Sequence, residues 1–274
     1  MDDISNKKFR DYDDNMTNVA KFYLLNHTYQ TYNFVTKMKK KYLDFNKGIK
    51  FSLLKAIELL DDIIDDSDPD TKLPQIYHAV QAGEAAREMF PEEKYDWFHL
   101  VAFLHDIGKI LAHPELFNEP QWAVVGDTFP VGCKFSDKIV FHEYFRYNDD
   151  INNEKYNTKY GIYSEGIGFD NITFSWGHDE YAYQVLKHNK CSIPDEGLYI
   201  IRYHSFYSHH KERMYNYLAS EYDIKMVEWL EYFQKCDLYS KTDDQININI
   251  NINECLPYYT NLLNKYFPNS ELEW

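Results

Sequence analysis

The sequence predicts a mainly α-helical fold with one small β-hairpin. Three observations carry that expectation. Apolar residues recur at spacings of three and four in several separate stretches, which marks core-facing helical stripes. Pro74, Pro91 and Pro194 stand where such stretches open or close. Between Pro120 and Gly132, two short β-prone runs broken at Gly126-Asp127 suggest a hairpin or a fixed loop.

The chain has 274 residues and no Gly/Pro/Ser linker, so residues 1–274 are read as one domain with a sizeable core. Residues 1–8 are expected to be flexible and residues 243–253 to form a low-complexity loop. Aromatics make up 18% of the chain, enough for a packed interior threaded with phenol hydroxyls. The formal net charge of −15, with 44 acidic against 29 basic residues, disfavours phosphate backbones and anionic membranes. No apolar run approaches the ~18 residues that span a bilayer, and the start lacks a signal-peptide core, so a soluble cytoplasmic protein is expected. Cys133, Cys191, Cys236 and Cys255 are scattered and are read as reduced thiols.

Val19, Phe22, Tyr23 and Asn26 predict a helix that continues through His27, Tyr32, Phe34 and Val35, with the lysines at 37 and 39–41 as its solvated end. Phe51 to Leu60 predicts a second helix, its stripe at Leu53, Ile57, Leu60 and Ile64. It runs into an acidic cluster, Asp61, Asp62, Asp65, Asp66, Asp68 and Asp70, which opposes the helix dipole by roughly a few tenths of a kcal/mol per charge. Such a cluster is either an exposed cap or a set of carboxylates put to use. Pro74 opens a third helix, in which His78 shares a face with Ala82, Ala85 and Met89.

The fourth helix is the one on which the chain is organised. Trp97, Leu100, Leu104, Ile107 and Leu111 form its stripe, and Phe98, Val101 and Phe103 make most of its remaining surface apolar. It is expected to be buried nearly all round. Yet it carries His105 and Asp106, with Lys109 one turn after the histidine. A buried unpaired polar group costs about 2–7 kcal/mol, so these must be paired or bind a metal. Neighbours on a helix diverge by about 100°, so the two are not expected to bond each other, although a metal between their directions would meet both. The alternative is a satisfied core histidine, an aspartate bonded to backbone and a lysine reaching water.

Ser175 to Tyr181 opens another helix with His178, Ala182 and Val185 on one side and Asp179 as its start cap. The next follows Pro194 and places His204 beside Ile200 and Ile201. The last, from Asp223, carries Leu230, Phe233 and Asp237. Residues 148–160 read as surface loop, and the Asn/Ile repeat from Gln245 to Asn253 as a low-complexity insertion.

His78, His105, Asp106, His178, His204 and Asp237 thus stand each on the apolar side of a helix. The 27, 72, 26 and 33 residues between successive sites each suffice for a helix, its loop and a return. Six ligands are too many for one tetrahedral zinc and suit two ions about 3.5–4 Å apart. Imidazole with carboxylate and no thiolate points to iron, manganese or zinc. Spacing alone does not assign ligands to ions. One division puts His78, His105 and Asp237 on one ion and His178 and His204 on the other, with Asp106 as a bridge. His27, His99, His113, His142, His188, His209 and His210 fall on mixed or exposed positions and are read as structural.

These stretches also carry a resemblance. Gln75-Ile76-Tyr77-His78, Leu104 to Lys109, Ser175 to Tyr181, Arg202 to Tyr207 and Lys235 to Lys241 resemble motifs of the myo-inositol oxygenase family, within the HD-domain superfamily. Phe9 to Tyr12, Asp65 to Asp70 and Glu119 to Pro130 are similar to that family as well. The resemblance implies an HD-domain-like helical bundle around a mixed-valent Fe(II)/Fe(III) pair that uses O2 to cleave the ring of myo-inositol to D-glucuronate. It carries over the six ligands with Asp106 as the bridge, one iron chelating two adjacent substrate hydroxyls and the other binding O2. Lys109 and Asp106 would be catalytic. Arg10, Asp65, Asp66, Ser67, Lys109, Gly126, Asp127, His204 and Ser205 match positions that contact the polyol. A monomer with no nucleic-acid or membrane partner is expected. The Asn/Ile repeat and the loop Ala112 to Asn118 depart from the family's pattern but lie outside the ligand motifs, and Lys241 is a candidate for a closing lid. The rival readings are an HD-type metal-dependent phosphohydrolase, against which the acidic cluster argues, and a non-catalytic helical protein with a structural metal.

Overall fold

The computed structural model describes residues 17–67, 75–240 and 252–274. In chain order its elements are α1 (Thr17–Tyr29), α2 (Tyr32–Tyr42), β1 (Lys50–Ser52), α3 (Leu53–Leu59), α4 (Gln75–Met89), α5 (Asp96–Leu104), α6 (His178–His188), α7 (Asp195–Tyr203), α8 (Tyr207–His210), α9 (Glu221–Ser240), α10 (Ile252–Tyr266) and β2 (Glu271–Glu273), with short 3-10 turns between. The mainly helical expectation holds. No described helix is long and apolar enough to cross a membrane, and all four cysteines are free.

Helix α5 is buried along its whole length. It is the axis of the molecule because an all-round apolar helix is stable only when every face is covered. Helix α4 packs along α5 and against α9, α7 touches both α5 and α9, and α6 rests on α7 and on the 3-10 segment Ile107–Ala112 that continues α5. Helix α10 closes over α5, with Tyr259 stacked on Phe103 at 4.2 Å. Each of the helices expected to carry an inward histidine or aspartate therefore borders α5 or its continuation.

Four local expectations change. The helix predicted through Val35 is two helices. Buried Gln30 turns its amide onto Trp176, donating to the carbonyl at 2.7 Å and accepting from the N–H at 3.0 Å. Thr31 then caps α2 by accepting from Phe34 N–H, and Tyr32 N–H donates to Asp150 at 2.7 Å. The lysine end of α2 is not wholly solvated: Lys39 reaches the buried Glu180 at 3.1 Å and Lys41 pairs with Glu119. Asp150 and its neighbour Asn148, which donates to His27 O, are buried anchors in the otherwise mostly exposed 148–160 loop.

The helix predicted from Phe51 begins as a strand, and Ser52 caps α3 by accepting from Lys55 N–H. Its stripe is buried at Leu53, Ile57 and Leu60, but Ile64 is 49% exposed because the chain has turned extended at Ile63. The strand pair is β1 with β2, antiparallel, Phe51 opposite Leu272, and not a hairpin at 120–132. That stretch is the fixed loop. Its N–H groups bond other segments, Thr128 to Ser205 O and Val131 to Thr173 O, while Phe129 O accepts from Ser175 N–H, so its two runs cannot pair with each other.

Arg10 and the motif around it, residues 1–8, Asp68, Asp70, Pro74, Lys241 and the Asn/Ile repeat up to residue 251 lie outside the described residues. The last two residues of that repeat, Ile252 and Asn253, open α10.

Candidate metal centre

The central helix ends one residue before the ligands it was expected to carry. Helix α5 stops at Leu104, Asp106 takes φ −93° and ψ 5°, and a 3-10 turn follows from Ile107. The 100° divergence expected of helical neighbours therefore does not apply. His105 Nε2 lies 3.2 Å from Asp106 Oδ2, and both side chains enter one cavity. Gly108 lets this segment close on α6: a Cβ there would fall 2.2 Å from the carbonyl oxygen of His178.

His78 comes from the second turn of α4, His178 opens α6, His204 follows the last residue of α7, and Asp237 stands late in α9. All are buried. His78 Nε2 and His105 Nε2 are 3.1 Å apart, with Asp237 Oδ1 at 3.0 and 3.7 Å and Asp106 Oδ2 at 3.6 and 3.2 Å, respectively. His178 Nε2 and His204 Nε2 are 3.2 Å apart, with Asp106 Oδ1 at 3.2 and 3.6 Å. The two oxygens of one carboxylate thus face two different imidazole pairs.

The tautomers are set from behind. His105 Nδ1 donates to Ala102 O at 2.7 Å, His178 Nδ1 to Val124 O at 2.9 Å and His204 Nδ1 to Ile201 O at 3.0 Å. A carbonyl can only accept, so Nδ1 carries the proton and a neutral ring keeps its lone pair on Nε2. As neutral rings, His178 and His204 turn their Nε2 lone pairs on each other at 3.2 Å, which repel unless a cation lies between them. The donor set therefore fits metal ions. Among the described residues, His78 with His105 and Asp237, His105 with Asp106 and His204, and His178 with Asp179 and His204 each form a group that could hold one.

Lys109 Nζ lies 2.8 Å from Asp106 Oδ2, 2.7 Å from Asp65 Oδ2 and 2.8 Å from Gln75 Oε1. Burial alone would raise the Asp106 carboxyl, but His105 and Lys109 hold it well below the usual range. Burial likewise opposes ionisation of Asp65, and the Lys109 charge again prevails. Burial lowers His178, yet the carboxylates of Asp179 and Asp106 raise it to about 10, which shows how strongly positive charge is favoured there.

The expected polyol contacts divide. Asp65, Ser67, Lys109, Gly126, His204 and Ser205 line the cavity beside the metal candidates. Ser67 is held by its own hydroxyl donating to Asp65 at 2.6 Å. Asp127 is buried nearby and accepts from Tyr23 OH at 3.1 Å. Asp66 is exposed, its backbone N–H bound by Gln121, and its side chain is not among the lining.

Two residues at the site had been passed over. Asp179 does not act as the start cap expected of it: it is 1% exposed and lies 2.8 Å from His178 Nε2. Its signal was visible, since His178-Asp179 repeats the His105-Asp106 pair. Tyr207 lines the cavity and donates to Asp237 Oδ2 at 3.3 Å, a contact that no local pattern announces. Five of the structural histidines, His27, His99, His113, His209 and His210, are buried rather than exposed, each held by at least one ring contact, such as His27 Nε2 to Val140 O and His99 Nε2 to Phe90 O. None of the five belongs to the metal-holding groups.

Comparison with known proteins places this geometry. The myo-inositol oxygenase family model matches residues 16–274. Inositol oxygenase of Dictyostelium discoideum is 48% identical over 268 residues, covering 98% of this chain and 90% of that protein. Inositol oxygenase 1 of Arabidopsis thaliana is 49% identical, covering 98% and 85%, and inositol oxygenase of Mus musculus is 43% identical, covering 98% and 92%. A match along nearly the whole length, passing through every described residue of the cluster, leaves one conclusion: the chain belongs to the myo-inositol oxygenase family of enzymes.

Proposed function

We propose that this chain cleaves the ring of myo-inositol with O2 to give D-glucuronate at a mixed-valent Fe(II)/Fe(III) pair. His78, His105 and Asp237 would hold one iron, His178 and His204 the other, with Asp106 bridging. The observation that carries this reading is the Asp106 carboxylate, whose two oxygens face separate imidazole pairs. Family membership supports inositol as substrate, and a set of imidazoles and carboxylates without thiolate suits iron. When bound, such a pair supplies Lewis acidity toward two adjacent hydroxyls and one-electron chemistry toward O2. Myo-inositol and O2 become D-glucuronate and water, a four-electron oxidation in which one ring carbon–carbon bond breaks.

The chain's own residues supply orientation and charge. Lys109 keeps Asp106 and Asp65 ionised, so Asp106 serves as a two-sided ligand and Asp65 as an acceptor for a substrate hydroxyl. Ser67 holds Asp65, and Ser205, its proton given to Asp179, turns lone pairs to the cavity. Gly126, at φ +93°, lines the wall where a Cβ would press on the Phe22 ring. Asp66, Asp127 and Arg10 are retained as further polyol contacts. Residues 1–274 are taken as one catalytic domain, a monomer of the cytoplasm, and the apolar core shared by α1 to α7, α9 and α10 supports the single domain. Among the described residues of the site, four acidic side chains, Asp65, Asp106, Asp179 and Asp237, stand against the ammonium of Lys109, which disfavours a phosphoester as substrate.

The test is to load the purified protein with iron(II), add myo-inositol under O2, and follow O2 uptake together with glucuronate. Near one glucuronate per O2, lost in His105→Ala, is the expected result. Protein holding two irons that yields no product would overturn it.

A further inference from the structure

The two halves of the cluster are not equivalent. On the His78/His105 side the bridging oxygen of Asp106 is neutralised by Lys109 at 2.8 Å. Among the described residues the His178/His204 side has no such cation, and where the first side has Asp237 it has a carboxylate of its own. Asp179 Oδ1 stands 2.8 Å from His178 Nε2 and 3.4 Å from His204 Nε2, as close as those nitrogens are to each other. Any cation seated between the two imidazoles faces that oxygen.

Asp179 is also fixed by three donors. Ser205 Oγ donates to Oδ1 at 3.1 Å, while Ser205 N–H at 3.1 Å and Thr128 Oγ1 at 3.2 Å donate to Oδ2. All three donors are neutral. The nearest cationic side chain along α7, Arg202, is engaged by Glu180 at 2.7 Å and Asp170 at 2.6 Å. Asp179 is thus a buried carboxylate that, among the described residues, meets neutral hydroxyl and amide donors and the Nε2 atoms of two imidazoles, a setting that favours a cation. Through Thr128 and Ser205 it also ties the 126–128 loop to the turn after α7, the two segments that line the cavity on this side.

We propose that Asp179 is a positioning residue of the His178/His204 metal position, its unneutralised charge raising that position's affinity for a cation and its accepted hydrogen bonds fixing Ser205 as an acceptor toward substrate. This rests on the dinuclear reading above.

The experiment titrates metal-free protein with iron(II) under argon against a competing chelator, in the wild type, Asp179→Asn, Asp179→Glu and Thr128→Val. The wild type takes two ions. Asp179→Asn binds the first unchanged and the second roughly 10–100-fold more weakly, the range found when outer partners of metal ligands are removed. Its iron pair also shifts to a more positive reduction potential, which loss of packing would not produce in a fixed direction. Asp179→Glu recovers most of the affinity, and Thr128→Val, which removes one bond but no charge, stays within about threefold of wild type. Wild-type affinity and potential in Asp179→Asn would overturn the inference alone, as would an equal loss in Thr128→Val. Should Asp179→Asn fail to fold, the contrast between Asp179→Glu and Thr128→Val decides in the same way. A wild type that takes up fewer than two ions sinks the dinuclear reading and this inference together.

Discussion

A Cβ on Gly108 would stand 2.2 Å from the carbonyl oxygen of His178 and 2.9 Å from its Cα. The segment after the Asp106 break can touch the start of α6 only without a side chain, and this contact brings the carboxylate to the second imidazole pair. Gly108→Ala is therefore expected to cost roughly 1–3 kcal/mol of stability through overpacking and to lower metal uptake. Chemical denaturation of the metal-free protein, with metal analysis after loading, checks both. An unchanged midpoint would show that the two segments can part without cost.

Lys109 lies between Asp65 and Asp106, within 2.8 Å of each. Lys109→Met leaves the two carboxylates without their ammonium. Turnover is expected to fall on the order of 10²-fold with iron still bound, as when one preorganised electrostatic partner is removed. Turnover measured beside iron content separates the outcomes: if iron is lost in proportion to activity, the lysine acts through the metal site's integrity and not on the reaction.

Acid should weaken the fold before it reaches the carboxylates. Burial pushes His27 down to about 4, and burial pushes His209 down to about 4 as well. Between pH 6.5 and about 4 the unfolded chain binds protons that these folded imidazoles refuse, so stability falls as pH drops through that window. Each contributes up to about 1.4 kcal/mol per pH unit. The depressed carboxyls of Asp65, Asp106 and Asp179 add to the loss only at lower pH, below their unfolded values. Denaturation midpoints from pH 8 to 5 should show the slope, and His27→Phe should roughly halve it. A flat profile above pH 5 would refute this account.

Glu180 and Arg202 join α6 to α7 two residues from His178 and His204, at 2.7 Å and with both side chains buried. Arg202→Met leaves the buried Glu180 with only the partly exposed Lys39 as a cation among the described residues and is expected to cost up to about 3–5 kcal/mol. The double variant with Glu180→Gln should recover much of that, because neither charge is then left unpaired. Midpoints of the singles and the double give the coupling, and additive losses would mean that the two groups do not act as a pair.

Removing metal should leave the helices folded but lower the melting temperature. The facing Nε2 atoms of His178 and His204 and the clustered carboxylates of the site repel once the cations are gone. Adding iron(II) back should raise the melting temperature with concentration, by about 2.7 kcal/mol at a hundredfold excess over Kd. Equal melting with and without a chelator would argue against a metal role for the cluster.

How much of this was legible in the sequence varies with the range of the interaction that decides it. Whether a segment is a helix, and which face it buries, depends on neighbours three and four residues away. The stripes of α4, α5 and α9 and the inward placing of His78, His204 and Asp237 could therefore be seen by spacing alone. The pairing of Phe51 with Leu272 could not, because each strand is three residues long and its partner lies at the other end of the chain. Nor could the fixed loop at 120–132, whose N–H groups go to residues 173 and 205.

At the site, the sequence by itself determined which residue types stand on apolar faces and hence that buried imidazoles and carboxylates needed partners. Tertiary structure decided how they converge. The break after Leu104 turned His105 and Asp106 into one cavity when helical geometry would have splayed them, and Gly108 set the distance to His178. It also separated carboxylates that local pattern treats alike: Asp65 faces inward on Lys109 while Asp66 faces water, and Asp179 joins the cluster although it opens a helix as a cap would. The physical reason is the same in each case. A charged side chain goes where polar partners meet it, and those of Asp65 and Asp179, Lys109, Ser205 and Thr128, lie 26 to 51 residues away along the chain.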